Sequence, residues 1–247
     1  MSISDAEILE LEKLIHEQEI YERINGLLDL ENGKNKNYTL LTKSLSEQKY
    51  EGDHIVCGYA GVSLAGSSRS GKTYSGVDFI IYLCLHIEKS CTINIYRETY
   101  ASFKDTLYDD FKKRLDYYDL NNPFHNAKEV KSFNIGRNKI TFIGCDKISK
   151  AHGAGCDYAF FNEIMHIPQG LFDQVEMRCR KFWWADYNPS FTHHWFFESV
   201  LNRTDVLEMR STFRDNEFIS PAEKRKILSY EPWLPESYYI ENNYVFY

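Results

Sequence analysis

The sequence has no apolar run that approaches the length needed to cross a bilayer, and its N-terminus lacks the basic and apolar regions of a secretory signal. Its six cysteines include no Cys-x-x-Cys pair, so neither a zinc site nor a redox pair is supported. A basic excess is also absent, because the formal net charge is −7. These absences favour a protein outside membranes with free thiols. They exclude a uniformly basic nucleic-acid coat but leave room for a local basic stripe.

What is present is a chain of 247 residues, long enough to bury a sizeable core. Residues 4–30 begin with the capping box "SDAE" and continue with an apolar stripe at helical spacing, which predicts a helix. We therefore expect residues 1–50 to form an N-terminal helical arm. From residue 51 to residue 247, strand-like and helix-like stretches alternate. This alternation predicts an α/β domain with a mostly parallel central sheet flanked by helices.

The stretch "GSSRSGKT" matches the phosphate-binding pattern G-x-x-x-x-G-K-[ST] at every fixed position, and it lies between a predicted strand and a predicted helix. The main-chain amides of such a loop converge on an anion. Lys72 is expected to reach the β and γ phosphates of a nucleotide, and the Thr73 hydroxyl to hold Mg²⁺. The predicted ATP-binding residues are Gly66, Ser67, Ser68, Arg69, Ser70, Gly71, Lys72 and Thr73.

A carboxylate follows the apolar run "YAFF", which predicts a buried strand that ends at Glu163. We interpret Glu163 as the catalytic residue that polarises the attacking water. The preceding residue is Asn162, where an aspartate is usual in this kind of site. An amide can accept a hydrogen bond from a metal-bound water but carries no charge. We therefore expect Mg²⁺ to be held by Thr73, by phosphate oxygens and by waters, one of which contacts Asn162.

A second apolar strand is followed by "ADYNPS". Strand ends at the same edge of a parallel sheet face the same crevice, so Asp186 and Asn188 are expected near the phosphates. Asn188 is a candidate γ-phosphate sensor, and an ordinary Asn-Pro turn is the alternative.

Four stretches in this order resemble the ATPase domain of the large terminase subunit of tailed bacteriophages. They are "GSSRSGKT", "HGAGCDYAFFNE", "ADYNPS" and "STFRDNEFISPAEKRKI", and together they cover about residues 58–230. The resemblance implies a P-loop NTPase of the ASCE type, with ATP and Mg²⁺ as cofactors. It implies that Asp186 and Asn188 belong to a coupling motif.

The same resemblance implies a motor that threads double-stranded DNA into a procapsid in the host cell cytoplasm. The implied partners are the portal protein, the small terminase subunit and further copies of the chain in a ring, with a monomer in solution left open. No membrane partner is expected. The family normally adds a C-terminal nuclease domain, which we expect to be absent from this chain.

The resemblance leaves the catalytic arginine open. Arg69 is a candidate, but it lies three residues before Lys72, whereas the family often has four. In the loop before the second motif, His152 stands where the family often carries an arginine. Arg97 and Arg137 are the other candidates.

Three other functions share part of this pattern: a helicase-like translocase, a nucleotide kinase, and a P-loop nucleotide-binding module without turnover. The kinase is disfavoured because no basic lid cluster is visible. Two basic stretches are more typical of solvated helix faces than of DNA contacts. They nevertheless contain the residues to examine first for DNA binding: Lys112, Lys113, Arg114, Lys224, Arg225 and Lys226.

Overall fold

A computed structural model describes residues 36–51, 54–104, 106–146, 155–189, 193–216 and 218–229. The predicted helix over residues 4–30, the loop that contains His152 and the segment after residue 229 lie outside the described residues. The strands are β1 Lys49–Glu51, β2 His54–Cys57, β3 Gly61–Gly66, β4 Thr92–Arg97, β5 Ser132–Ile135, β6 Asn138–Gly144, β7 Cys156–Phe161, β8 Cys179–Tyr187 and β9 Val206–Ser211. The α-helices are α1 Lys36–Ser46, α2 Lys72–Tyr82, α3 Leu107–Tyr117, α4 Gln169–Glu176 and α5 Pro221–Leu228.

The main sheet has seven strands in the order β5-β6-β4-β7-β8-β3-β9. All neighbouring strands run parallel except β5 and β6, which form an antiparallel hairpin. The predicted fold class is therefore confirmed. Strand β3 lies between β8 and β9, so the loop that follows β3 has a strand end on either side of it.

Both faces of the sheet are buried. Successive residues of a strand point to opposite faces, and in β7 and β8 two successive residues are aromatic, so each face carries large apolar side chains. Phe160 and Trp184 stack at 5.2 Å between ring centroids on one face, in the core that also contains residues of α1, α2 and α3. Phe161 and Trp183 lie 6.2 Å apart on the other face, in the core that contains residues of α4. Burial on both faces holds β7 and β8 in place, and the ends of these strands carry polar residues of the candidate site.

Helix α1 falls within residues 1–50, the expected N-terminal helical arm. It begins inside the polar run "ENGKNKN". Tyr38 and Leu41 are 3% and 0% exposed and belong to the same core as α2. The described part of the expected arm, up to Ser46, is thus packed on the main domain.

Two further features of the sequence can be compared with the structure. The glycine-punctuated stretch that begins at residue 54 divides into β2 and β3, and Gly58 between them has a φ of +98° that favours glycine. None of the helices among the described residues has both the length and the apolar character that a bilayer crossing requires. The cysteines whose side chains are described are all free: Cys84, Cys91, Cys145, Cys156 and Cys179.

Gly61→Ala is expected to destabilise the domain, because a Cβ at Gly61 would lie 2.0 Å from Cε2 of the buried Trp183. Overpacking of this kind costs about 1–3 kcal/mol of the free energy of unfolding. The matched control is Gly170→Ala in α4, where nothing lies within 4 Å of an added Cβ. Chemical denaturation should show a lower midpoint for the first variant and an equal or slightly higher one for the control. Equal midpoints for wild type and Gly61→Ala would contradict the packing described here.

Candidate active site

The candidate phosphate-binding loop connects β3 to α2, as the sequence predicted. Its conformation needs glycine at two positions. Gly71 has a φ of +84° immediately before α2, and a Cβ at Gly66 would lie 2.3 Å from the carbonyl oxygen of Ser211. Arg69 also has a positive φ, +67°, so the chain curls back on itself between the two glycines. The first-turn amides of α2 have no partner within the helix, and they make its start suitable for an anion.

The ammonium group of Lys72 lies inside this loop. Its Nζ donates to the carbonyl oxygens of Gly66 at 2.8 Å and Ser67 at 2.9 Å, and to Oδ1 of Asn188 at 3.0 Å. Burial lowers the pKa of Lys72 to about 8, and the nearby carboxylates of Asp186 and Glu163 oppose that shift. A phosphate bound here would supply the negative charge that the buried ammonium needs.

Asp186 is the carboxylate that joins the loop to the neighbouring strand ends. Its Oδ2 accepts a hydrogen bond from Thr73 Oγ1 at 3.0 Å, and its Oδ1 accepts one from the main-chain amide of Glu163 at 2.6 Å. Both of its oxygens lie within 3.0 Å of Nδ2 of Asn162. Asp186 is 2% exposed. Three elements that are distant in sequence therefore meet at one buried carboxylate.

The predicted metal residues, Thr73 and Asn162, both contact Asp186 in this structure. The amide of Asn162 is occupied at both ends, because its Nδ2 donates to Asp186 and its Oδ1 accepts from Arg97. The negative charge beside the Thr73 hydroxyl is that of Asp186, which the sequence suggested only as a coupling residue. Hydroxyl and carboxylate oxygens are ligands that suit Mg²⁺. Among the residues that the structure describes, no group of three or more His, Cys, Asp or Glu side chains could hold a metal.

Glu163 is the second residue after the end of β7, and it adopts a left-handed conformation with a φ of +58°. Such a conformation is unusual for a residue other than glycine, and it is often found at functional sites. The side chain of Glu163 is 49% exposed, and its Oε2 lies 2.7 Å from Nη2 of Arg97. Arg97 is the last residue of β4, the strand next to β7, and its side chain is only 7% exposed. The contact between these two residues was not predicted, because it depends on the order of the strands.

The candidate arginines lie in different places. Arg97 contacts Glu163, whereas the guanidinium of Arg69 is 64% exposed and lies 3.3 Å from Oε1 of Glu223. Arg137 lies in the hairpin turn before β6. Since β6 runs parallel to β4, that turn lies at the opposite end of the strands from the phosphate loop, about 20 Å away along β6 alone. Of these candidate arginines, Arg97 and Arg69 are therefore the two near the loop within one chain; His152 lies outside the described residues.

One of the basic residues suggested for DNA contact has a structural role. Nε of Arg114 lies 2.6 Å from Oδ1 of the buried Asp78, and the arginine side chain is 15% exposed. Its guanidinium also lies over the rings of Tyr117 and Tyr118. Arg114 is thus held within the protein, not presented to a partner.

The site opens into a cavity of about 970 Å³, a size typical of small-molecule sites. Residues 68–73 of the phosphate loop line it. One wall contains Glu163, Asp186 and Asn188, and another contains Asn216 and Phe218. Nearly all the predicted site residues are therefore brought together around one cavity beside a loop suited to an anion.

Comparisons with known proteins identify the family and support the fold. A family model described as phage terminase large subunit matches residues 62–243. The large terminase of a thermophilic bacteriophage is similar in structure, with a TM-score of 0.60 and 18% identity over 80% of this chain and 50% of that one. The ADP complex of the same terminase gives a TM-score of 0.62 and 16% identity over 81% and 51%.

The large terminase ATPase domain of Thermus phage P74-26 gives a TM-score of 0.52 and 11% identity over 83% of this chain and 94% of that one. The chain spans about half the length of the thermophilic-phage terminase. No curated protein sequence matches the chain. At these identities the structural likenesses show the fold, whereas the family match covers most of the chain in its own right. The chain therefore belongs to the phage terminase large subunit family.

Proposed function

We propose that this chain binds ATP and Mg²⁺ in the cavity and hydrolyses the ATP to drive double-stranded DNA into a procapsid. The observation that supports this proposal most strongly is the meeting of Lys72, Asp186 and Glu163 at one side of the phosphate loop. An ordinary turn that binds no phosphate would not require a buried ammonium group next to two carboxylates. Solved structures of the thermophilic-phage terminase in complex with ADP and with ATP-gamma-S support nucleotide binding.

In this proposal the phosphates lie on the loop amides, and Lys72 exchanges its carbonyl partners for phosphate oxygens. Mg²⁺, when bound, neutralises charge on the β and γ phosphates. Thr73 and Asp186 are the residues that would hold it, together with phosphate oxygens. Asn162 then orients Asp186 and has no direct role at the metal, since its Nδ2 contacts both carboxylate oxygens.

Glu163 is the proposed general base, because it is a half-exposed carboxylate in the wall of the cavity. Arg97 holds this carboxylate in one orientation. Asn188 contacts Lys72 and lies one residue beyond β8, which also carries Asp186. Loss of the terminal phosphate from Lys72 would therefore change the hydrogen bond between Lys72 and Asn188, which is consistent with a sensor or coupling role.

The partners follow from membership of the family. We propose the portal protein, the small terminase subunit and a ring of further copies as partners, acting in the host cell cytoplasm. Arg69 is exposed at the cavity beside Glu223, and we propose that it stabilises transition-state charge in a neighbouring subunit. Within its own subunit, Arg97 is the arginine that lies beside Glu163. A helicase-like translocase would use the same site, and only the partners would distinguish it.

Glu163→Gln is expected to bind ATP with unchanged affinity but to hydrolyse it about 10²–10⁴-fold more slowly, since the amide cannot accept the proton of water. Lys72→Ala is expected to lose binding as well. ATP binding by calorimetry, and turnover with and without double-stranded DNA, measure both effects. The control is Glu198→Gln, which removes the same charge at an exposed position. Unchanged turnover in Glu163→Gln would show that the base is another residue. Binding without turnover in the wild type, with its partners present, would favour the nucleotide-binding module.

ATP affinity is expected to depend on pH through Lys72, whose pKa is lowered to about 8 by burial. Phosphate binds the protonated ammonium, so affinity should be full below about pH 7.5 and fall as the pH rises through about 8, by at most about tenfold per pH unit. The phosphates of ATP are already ionised in this window. Titrations from pH 7 to pH 9 measure the effect, and Lys72→Ala should bind weakly with no such slope. A flat wild-type profile would contradict the proposed contact.

A further inference from the structure

The order of the strands divides the cavity at the phosphate loop. Glu163 and Asp186 lie at the ends of β7 and β8, which are on one side of β3. Asn216 and Phe218 come after β9, which is on the other side of β3. The proposed base, Glu163, and the proposed metal-binding carboxylate, Asp186, therefore lie on the same side of the loop.

A nucleoside triphosphate is asymmetric, and this asymmetry determines its direction in the cavity. Its terminal phosphate reacts, so this phosphate must lie on the side of Glu163. The ribose and base are attached at the other end of the phosphate chain. Given the proposed function, on which this inference rests, the nucleoside must extend away from Glu163, and the β9 side is the part of the cavity directly across the loop.

On that side Phe218 presents a large aromatic ring that is 58% exposed. The main chain around it is held in place: Oδ1 of Asn216 accepts from the amide of Phe218 at 3.1 Å, and Nδ2 of Asn216 donates to the carbonyl oxygen of Arg69 at 2.8 Å. The next residue, Ile219, packs against the buried Phe213 and Ile227. Ile219 thus anchors the segment, and Phe218 is exposed beside the phosphate loop.

The cavity has a second aromatic wall, formed by Tyr74 and Tyr117. This wall is less suited to a base. The guanidinium of Arg114 already lies 4.9 Å from the centroid of the Tyr117 ring, and Asp78 and Asp110 lie in the same part of the cavity. A heterocyclic base needs an aromatic face on which to stack, and Phe218 offers an exposed ring beside the phosphate loop.

We propose that Phe218 is the residue on which the base of the bound nucleotide stacks, and that the nucleoside lies on the β9 side of the phosphate loop. Stacking on one ring recognises any nucleobase, because every base has a π face. Phe218 is then a binding residue for the nucleoside, while the phosphates are held by the loop.

The test compares two ligands, ATP and inorganic tripolyphosphate, which lacks the nucleoside. Phe218→Ala should weaken ATP binding by about tenfold or more and leave tripolyphosphate binding unchanged. Phe218→Trp should retain ATP binding, since a larger ring still stacks. The matched control is Tyr117→Ala, which removes an exposed aromatic ring from the other wall and should change neither affinity. Calorimetry on the full chain measures all of these affinities.

Unchanged ATP affinity in Phe218→Ala would overturn the inference, and so would an equal loss of affinity for both ligands. A selective loss of ATP affinity in Tyr117→Ala would place the base on the other wall and also overturn it. These results are distinct from failure of the proposed function, in which the wild type would bind neither ligand, or Lys72→Ala would bind ATP as tightly as the wild type.

Discussion

The site depends on one buried carboxylate. Asp186 accepts hydrogen bonds from the hydroxyl of Thr73, the side-chain amide of Asn162 and the main-chain amide of Glu163. A buried polar group is costly unless it is hydrogen-bonded, so Asp186 and these three donors hold one another in place. Asp186 therefore fixes the start of α2 and the ends of β7 and β8 relative to one another. Loss of this carboxylate would leave three donors without their acceptor.

The proposed catalytic glutamate lies on the exposed side of this arrangement. Its main chain is fixed by Asp186, and its side chain by Arg97. The left-handed backbone of Glu163 turns the chain sharply after β7, so that the carboxylate reaches the cavity instead of continuing along the sheet. The strain is tolerated because Asn162 and Asp186 determine the positions of the neighbouring atoms. In the proposed function, phosphate binding and water activation thus share one rigid support.

Much of the fold could be predicted from the sequence because its signals are local. The glycines and the lysine of the phosphate loop, the apolar run before Glu163 and the hairpin over residues 131–145 each have a pattern that one segment contains by itself. Contacts across the sheet could not be predicted in this way. The pairing of Asp186 with Thr73, and of Arg97 with Glu163, depends on which strands are neighbours. Strand order cannot be inferred from the local patterns of a single sequence. Helix α1 was not predicted, because its apolar residues lie within a mostly polar stretch.

A crystal structure of this chain with a non-hydrolysable ATP analogue and Mg²⁺ tests the central claim most directly. The account predicts triphosphate along residues 66–73, Mg²⁺ beside Thr73 and Asp186, and the carboxylate of Glu163 within reach of a water next to the terminal phosphate. Nucleotide bound elsewhere, or a terminal phosphate on the side of the loop away from Glu163, would contradict it.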